Sequence, residues 1–547
     1  MLSRRWLPWV IAIAGALLFI PGLGAVNLFD WDEINFAEIA REMLVTGDLL
    51  RPRIDFLPFH EKPPLFIWLQ AIAMSVFGVG EFAARLPNAM CGIVTLLVLY
   101  RIGTGLRGRV FGALWTLAYL GSILPHLYFR SGIIDPWFNL FIFLGLNAFI
   151  RVVREDHPPA TRSATGHAVL AGSYIGLAVL TKGPVGLLIP GIVAMVIWSM
   201  NGWRPLVRWR SLLVAGAVLL ITVGTWAVVD LVRNGPEFMI AFFWRQVAML
   251  STEDAGHGGF FGYHFVVLLI GCFPSSLFAV QELRKPTRTE APARNAHRRW
   301  MVVLFWVVLI LFSLVKTKIV HYSSLCYFPL TYLAALQLER IWTSKVPFGW
   351  SRYAVGVVGA MIALIVMAVP IVGMHIEWLH PLLAQDPFAQ ANMEADVHWS
   401  AAACLAGALL LSALVLGHVL HARGRYRSSV LAIFLGGAFF VTATLYFFIN
   451  RIEGYSQHAA IEFFEARQGE RCYVITKGYK SYAQLFYTRK GPVSDPRAHD
   501  EEWLLTGPVD RAVYVVCKIT TAPELGAIPT LHELYRKNGF VFYKRKP

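Results

Sequence analysis

Charge is scarce in this chain. Only 15% of its 547 residues are Asp, Glu, Lys or Arg, while 56% are hydrophobic. Soluble domains carry about 25% charged residues, so a soluble globular protein is excluded and a polytopic membrane protein is implied. Cysteine is scarce too. The six cysteines form no C-x-x-C pair, which excludes a zinc ribbon or a dithiol redox motif. No Gly-rich phosphate loop, Ser-His-Asp pattern, dinucleotide-binding signature or repeat of fixed period is present. The net charge is +15, but the basic residues are scattered over many short loops. That distribution fits the cytoplasmic loops of a membrane protein and argues against a nucleic-acid partner.

What is abundant is apolar runs. Thirteen candidate spans lie near residues 6–26, 86–104, 109–127, 133–151, 167–181, 183–201, 211–232, 260–281, 299–315, 320–339, 353–374, 400–420 and 428–449, each close to the ~20 residues that cross a hydrocarbon core. The first run ends in Pro21-Gly22-Leu23-Gly24 without a small-residue cleavage pattern, so it reads as a retained span. Pro63 to Gly78 is shorter and reads as an interfacial or re-entrant helix. Arg and Lys concentrate in alternate loops, such as Arg204, Arg208 and Arg210, or Arg423, Arg425 and Arg427, while residues 374–400 have neither. The positive-inside pattern puts the N-terminus in the cytoplasm. After Asn450 the pattern changes to β-branched and aromatic runs at 471–476, 511–519 and 539–544. The expected organisation is an α-helical membrane domain, 1–450, followed by a small soluble α/β domain, 451–547. Thirteen crossings place that domain outside. Cys472 and Cys517 fall on two of its strands, where a disulfide could join them in an oxidising compartment.

The longest polar interruption in the first part of the chain is Phe29 to Trp68, within an outer loop at 27–85. Phe36, Ile39, Ala40, Met43 and Leu44 recur at helical spacing, which predicts an amphipathic helix from Asn35 to Val45 lying in the interface plane. The orientation sorts Asp32, Glu33, Glu61, Lys62, Asp135, Lys182, Arg245, His257, Lys316, Lys318, His321 and Tyr322 to the outer ends of spans or to outer loops. A lone Lys or Arg there can be an interface anchor. Asp135 opening a span and Lys182 in a tight TKGP turn resist that explanation. Carboxylates and ammonium groups at one membrane face suggest a divided site. The cations would hold an anion such as a phosphate, and a carboxylate would accept the proton of an attacking hydroxyl. Neighbouring acids and a low dielectric would raise the pKa of that carboxylate. A transporter or lipid-linked sugar flippase would instead carry ionisable groups mid-span, and the span centres here are nearly free of charge.

An acidic pair after the first span, then AEIAREM, GD, EKPP, a DP span start and TKGP, resembles the bacterial integral-membrane glycosyltransferases of the GT-C superfamily. The resemblance is closest to the protein O-mannosyltransferase-like group that includes the 4-amino-4-deoxy-L-arabinose lipid A transferases, and it covers roughly residues 1–340. It implies an inverting transfer from a polyprenyl-phosphate sugar, such as an undecaprenyl phosphate donor, to an acceptor at the periplasmic face of the inner membrane. Asp32, with Glu33 beside it, matches the catalytic-loop aspartate, and Asp135 the second carboxylate. Lys62 matches the lysine that contacts the donor phosphate. Lys182, Lys318 and Tyr322 match positions lining the donor cavity, and Arg245 joins them as a substrate-binding candidate. His257 matches a loop histidine that could bind a divalent metal such as zinc together with Glu61; a hydrogen-bonded pair is the alternative. Asn35 and Phe36 stand where the aminoarabinose transferases carry Arg and Tyr, and Phe59-His60 where they carry an aromatic pair. The acceptor stays open among lipid A, another envelope glycan and a protein hydroxyl.

Overall fold

A computed structural model describes residues 6–155, 162–248, 258–284, 292–493 and 495–547. Eight helices are long and apolar enough to cross a membrane, from Glu81–Arg107 to Tyr426–Gly454, or up to ten if two bent pairs each count as one span. Three shorter apolar helices, Leu7–Phe19, Leu65–Phe77 and Val185–Met200, complete the set. The chain is therefore a multi-pass membrane protein, but the described residues do not form thirteen uninterrupted crossings. The expected span 260–281 turns by 117° between Tyr263–Gly271 and Ser275–Leu283, where Pro274 lacks the N–H that would continue the ladder. The expected span 109–127 turns by 83° between Arg109–Leu120 and Ile123–Arg130. Gly121 at that bend is pressed against the Phe434 backbone, and a Cβ there would collide with its carbonyl oxygen. The expected span 320–339 opens as a 3-10 helix, Val320–Cys326, before Tyr327–Ser344.

The predicted helix at Asn35–Val45 runs from Asp32 to Thr46, closed by Gly47 at φ 71°. It does not lie on a surface. Every residue from Glu33 to Met43 is buried, because the C-terminal region covers the face that would otherwise meet water. Ile34, Phe36, Ile39 and Met43 share one apolar cluster with Phe463, Phe464, Phe486 and Phe542. Polar ties reinforce the contact. Tyr487 accepts from Leu28 N at 2.7 Å, Arg41 donates to the Lys490 carbonyl at 2.7 Å, and Lys490 donates to Asp55 at 2.7 Å. The outer loop also carries a two-residue hairpin, β1 (Arg53–Ile54) and β2 (Leu57–Pro58).

The C-terminal sheet has four strands: β3 (Tyr473–Lys477), β4 (Val513–Lys518), β5 (His532–Lys537) and β6 (Phe540–Arg545). Their order is β3-β4-β6-β5, with β3 and β4 parallel and the other pairs antiparallel. Helices His458–Glu465 and Ala483–Thr488 pack between one face of the sheet and the loop helix. The register rules out the disulfide. Lys477 pairs with Cys517, whereas Cys472 precedes the Tyr473–Val513 pair. The two cysteines are five positions out of step, about 16 Å along the strands. They also face opposite sides of the sheet, Cys472 toward the loop helix and Cys517 in the far core. A bridge needs Cα atoms within about 7 Å, and all six cysteines are free.

Candidate active site

A cavity of about 500 Å³ opens between the loop helix and the ends of the membrane helices. Local sequence explains why charged groups meet there. Asp32 begins the loop helix, and Asp135-Pro136 begins Asp135–Glu155; acids are favourable at helix N-termini, and Pro is well placed in a first turn. Lys182 is the last residue of Arg162–Lys182, where a cation is favourable. Gly183 follows at φ 82°, and Pro184 caps the next helix. This turn aims Lys182 back at Asp135.

The contacts are direct. Lys182 Nζ donates to Asp135 Oδ1 at 2.7 Å and lies over the rings of Phe138 and Tyr322 at 5.6 and 5.1 Å. His321 Nε2 lies 3.2 Å from Asp32 Oδ2 and 3.7 Å from Asp135 Oδ2. Lys62 lines the same cavity. It couples electrostatically to Glu61, Lys182, Asp32 and Asp135, and burial holds its ammonium below the usual lysine range. The expected rise in the pKa of Asp32 is not found. Burial does push it up, but the hydrogen bond and charge of His321, with Lys62 and Lys182, outweigh burial and hold it below the usual carboxylate range. His321, Lys62 and Lys182 together overcome desolvation.

Several sequence candidates occupy other roles. Glu33 faces Arg85 in a two-pronged pair at 3.0 and 2.7 Å and also accepts from Phe29 N and Gly132 N. Arg85 in turn binds the carbonyls of Leu23, Val26 and Asn27. Both Glu33 oxygens are thus occupied, and burial is outweighed by the Arg85 charge, which keeps the group ionised. Glu33 is a staple of the loop, not an available base. Lys318 is not in the cavity. Its ammonium donates to the carbonyls of Phe312, Ser313 and Val315 and caps the end of Pro292–Leu314. Arg245 meets Glu61 at 2.5 Å, and Gln246 holds the Glu61 carbonyl at 2.9 Å. Glu61 lines the cavity, and Arg245, which is not among the lining residues, reaches it through this pair. His257 lies outside the described residues. Among the described residues no three His, Cys, Asp or Glu side chains gather as a metal site.

The cavity also holds residues that the sequence alone did not single out as a site. His321 was one polar residue among many at the outer face. Arg85 and Arg130 line the cavity; an Arg at the outer end of a span, where the charge bias disfavours it, was the available signal. Asp30 accepts from Gln457 Nε2 at 2.7 Å. Burial raises its pKa to about 6, against hydrogen bonds from Ser481 and Gln457 that lower it. An ionised carboxylate, Asp32, and two ammonium groups therefore open on one cavity, a proton acceptor beside a seat for an anion.

Residues 61–228 match the family model for dolichyl-phosphate-mannose-protein mannosyltransferases. The chain is 28% identical over 342 residues to the undecaprenyl phosphate-α-4-amino-4-deoxy-L-arabinose arabinosyl transferase of Edwardsiella ictaluri, covering 61% of this chain and 59% of that one. The Erwinia tasmaniensis enzyme of the same name is 28% identical over 406 residues, 71% of this chain and 70% of that one. The chain thus spans about three fifths of the length of the first of these relatives. Among solved structures, ArnT from Cupriavidus metallidurans bound to undecaprenyl phosphate has the same fold, with a TM-score of 0.76 at 20% identity, covering 99% of this chain and 98% of that one. The chain thus shares the fold of the solved ArnT and is similar in sequence, over parts of its length, to the protein mannosyltransferase family model and to the aminoarabinose transferases.

Proposed function

We propose that the protein transfers a sugar from a polyprenyl phosphate donor, of the undecaprenyl type, to a hydroxyl or phosphate acceptor. The observation that carries this reading is the cavity in which Asp32 stays ionised while Lys62 and Lys182 face the same space. The two ammonium groups seat the donor phosphate. Asp32 accepts the acceptor proton as the acceptor oxygen attacks the anomeric carbon. The bond to the phosphate oxygen breaks on the opposite side, and its electron pair leaves with the lipid phosphate, so configuration inverts. Names of relatives support the donor class: the curated relatives act with undecaprenyl phosphate-linked aminoarabinose, and the solved ArnT binds undecaprenyl phosphate.

The reaction takes place at the periplasmic face of a bacterial inner membrane, with the N-terminus cytoplasmic and residues 451–547 periplasmic. The charge bias of the loops supports this orientation. Lipid A is the acceptor that the motif resemblance to the aminoarabinose lipid A transferases implies. A protein hydroxyl is the second reading, favoured by the family model and by Asn35 and Phe36 in place of the Arg and Tyr of the aminoarabinose transferases. Mass spectra of lipid A, envelope glycans and envelope proteins from a deletion strain separate the two. Loss of a sugar from one fraction names the acceptor, and three unchanged spectra contradict the reading.

A further inference from the structure

His321 stands between two carboxylates, Asp32 in the cavity lining and Asp135 buried beside it. Asp135 is 2% exposed, and its Oδ1 is taken by Lys182. Its other oxygen, Oδ2, is buried and accepts no hydrogen bond among the described residues. Such an orphaned acceptor is rare and costly in a folded protein. A donor stands just out of reach: His321 Nε2, at 3.7 Å, is bonded instead to Asp32 Oδ2 at 3.2 Å. The scaffold around the imidazole is fixed. His321 belongs to the 3-10 helix Val320–Cys326, and Asn139, on the Asp135 helix, donates to Ser324 Oγ at 2.7 Å. The two carboxylates thus flank one ring nitrogen, at 3.2 and 3.7 Å.

We infer that His321 is a positioning residue that serves Asp32 and Asp135 in turn, donating to Asp32 while it is ionised and to Asp135 Oδ2 once Asp32 has taken the acceptor proton. The inference rests on Asp32 as the base. The acceptor O–H bond breaks and its proton passes to Asp32. The new bond to the anomeric carbon forms, and the old bond to the phosphate breaks with its electron pair. His321 keeps its own proton at Nε2 throughout and changes only its partner. As Asp32 loses its charge it becomes a weaker acceptor, while Asp135 keeps a vacant oxygen. The handover thus holds a donor near Asp32 before transfer and removes it after. The charged groups facing Asp32 are Lys62 from the loop before Leu65–Phe77, Lys182 from the end of its helix and His321 itself, with Asp135 on the other side of His321; the Tyr322 ring packs beside His321.

Two measurements on the full-length protein in lipid nanodiscs test this. The first is the structure of Asp32→Asn, whose amide imitates the uncharged carboxyl. The His321 Nε2 to Asp135 Oδ2 distance should fall from 3.7 Å into hydrogen-bond range; an imidazole still seated on residue 32 overturns the handover. The second is a pH titration of the carboxyl C=O stretch by infrared difference, with the Asp32 band identified by its loss in Asp32→Asn. In wild type its midpoint should lie below the ordinary carboxylate range. In His321→Ala it should rise by about one pH unit or more, with His321→Gln between the two. A wild-type midpoint at or above the ordinary range, or an unmoved midpoint in both variants, overturns the inference, and the wild-type arm stands even if one variant does not fold. Neither measurement needs turnover. If Asp32→Asn keeps transfer activity while the infrared shift is present, the base assignment fails and the coupling of His321 to Asp32 survives.

Discussion

Asp32 and Glu33 are adjacent acids with opposite fates, and the difference lies in their partners. Glu33 meets Arg85, 52 positions away in sequence, and both its oxygens are filled. Asp32 meets one imidazole and an open cavity. Glu33→Gln should therefore leave Arg85 a buried charge without its counter-ion. Breaking such a pair costs about 3–5 kcal/mol, so a marked drop in the thermal midpoint is expected; a midpoint within a degree of wild type contradicts the staple role. Lys62→Ala should raise the donor KM far more than the acceptor KM, because the lysine side chain faces the cavity as a point charge for phosphate. Titration of both substrates checks this, and an unchanged donor KM contradicts it. That Asp32, Lys62 and Lys182 would share one face was legible because each sits in a short motif beside an apolar run. The parts played by His321 and Arg85 were not, because each depends on a partner that only the fold supplies.

The loop helix Asp32–Thr46 shows how a covered element changes its charges. Its periodicity located it, but the expected place in the interface plane did not hold, because nothing in the local sequence shows what packs above it. Burial places Glu38 and Glu42 one turn apart with a single internal cation, Arg41, bonded to Glu38 at 2.7 and 2.6 Å. Burial first, and the Glu38 charge second, raise the Glu42 pKa to about 9 from 4.5. A carboxyl whose folded pKa lies above its unfolded one contributes stability at low pH that is lost as pH rises through the folded value. The contribution should decline across the window from 4.5 to about 9. Glu42→Gln removes it, so the variant's advantage over wild type should grow from pH 5 to pH 9 in thermal melts; an advantage independent of pH contradicts the assignment. Strand β5 was missed for a related reason. Its sequence, HELYRK, is polar and every residue is exposed, so it carries neither alternation nor β-branched enrichment.

At the scale of the molecule, the C-terminal region and the outer loop form one surface over the cavity. Gln457 holds Asp30, Tyr487 holds Leu28, and Lys480 and Tyr482 lie against Trp31. The prediction that residues 451–547 share a membrane side with Asp32 therefore agrees with direct contacts between them. Which compartment that side faces is testable with Cys472, the half-buried cysteine of this region; Cys517 is buried. A membrane-impermeant thiol reagent should label Cys472 from the periplasmic side, and labelling only after the cytoplasmic face is opened contradicts the orientation.

The central claim is that Asp32 takes the acceptor proton in a cavity built to hold a lipid phosphate. It is tested most directly by turnover of purified Asp32→Asn with undecaprenyl phosphate-α-4-amino-4-deoxy-L-arabinose as donor and lipid A as acceptor, alongside binding of undecaprenyl phosphate. General-base assistance contributes roughly 10²–10⁴-fold. Turnover should fall by that factor while undecaprenyl phosphate binding and the thermal midpoint stay near wild type. A folded variant that keeps more than about a tenth of wild-type turnover, well short of the loss that general-base assistance predicts, would contradict the account.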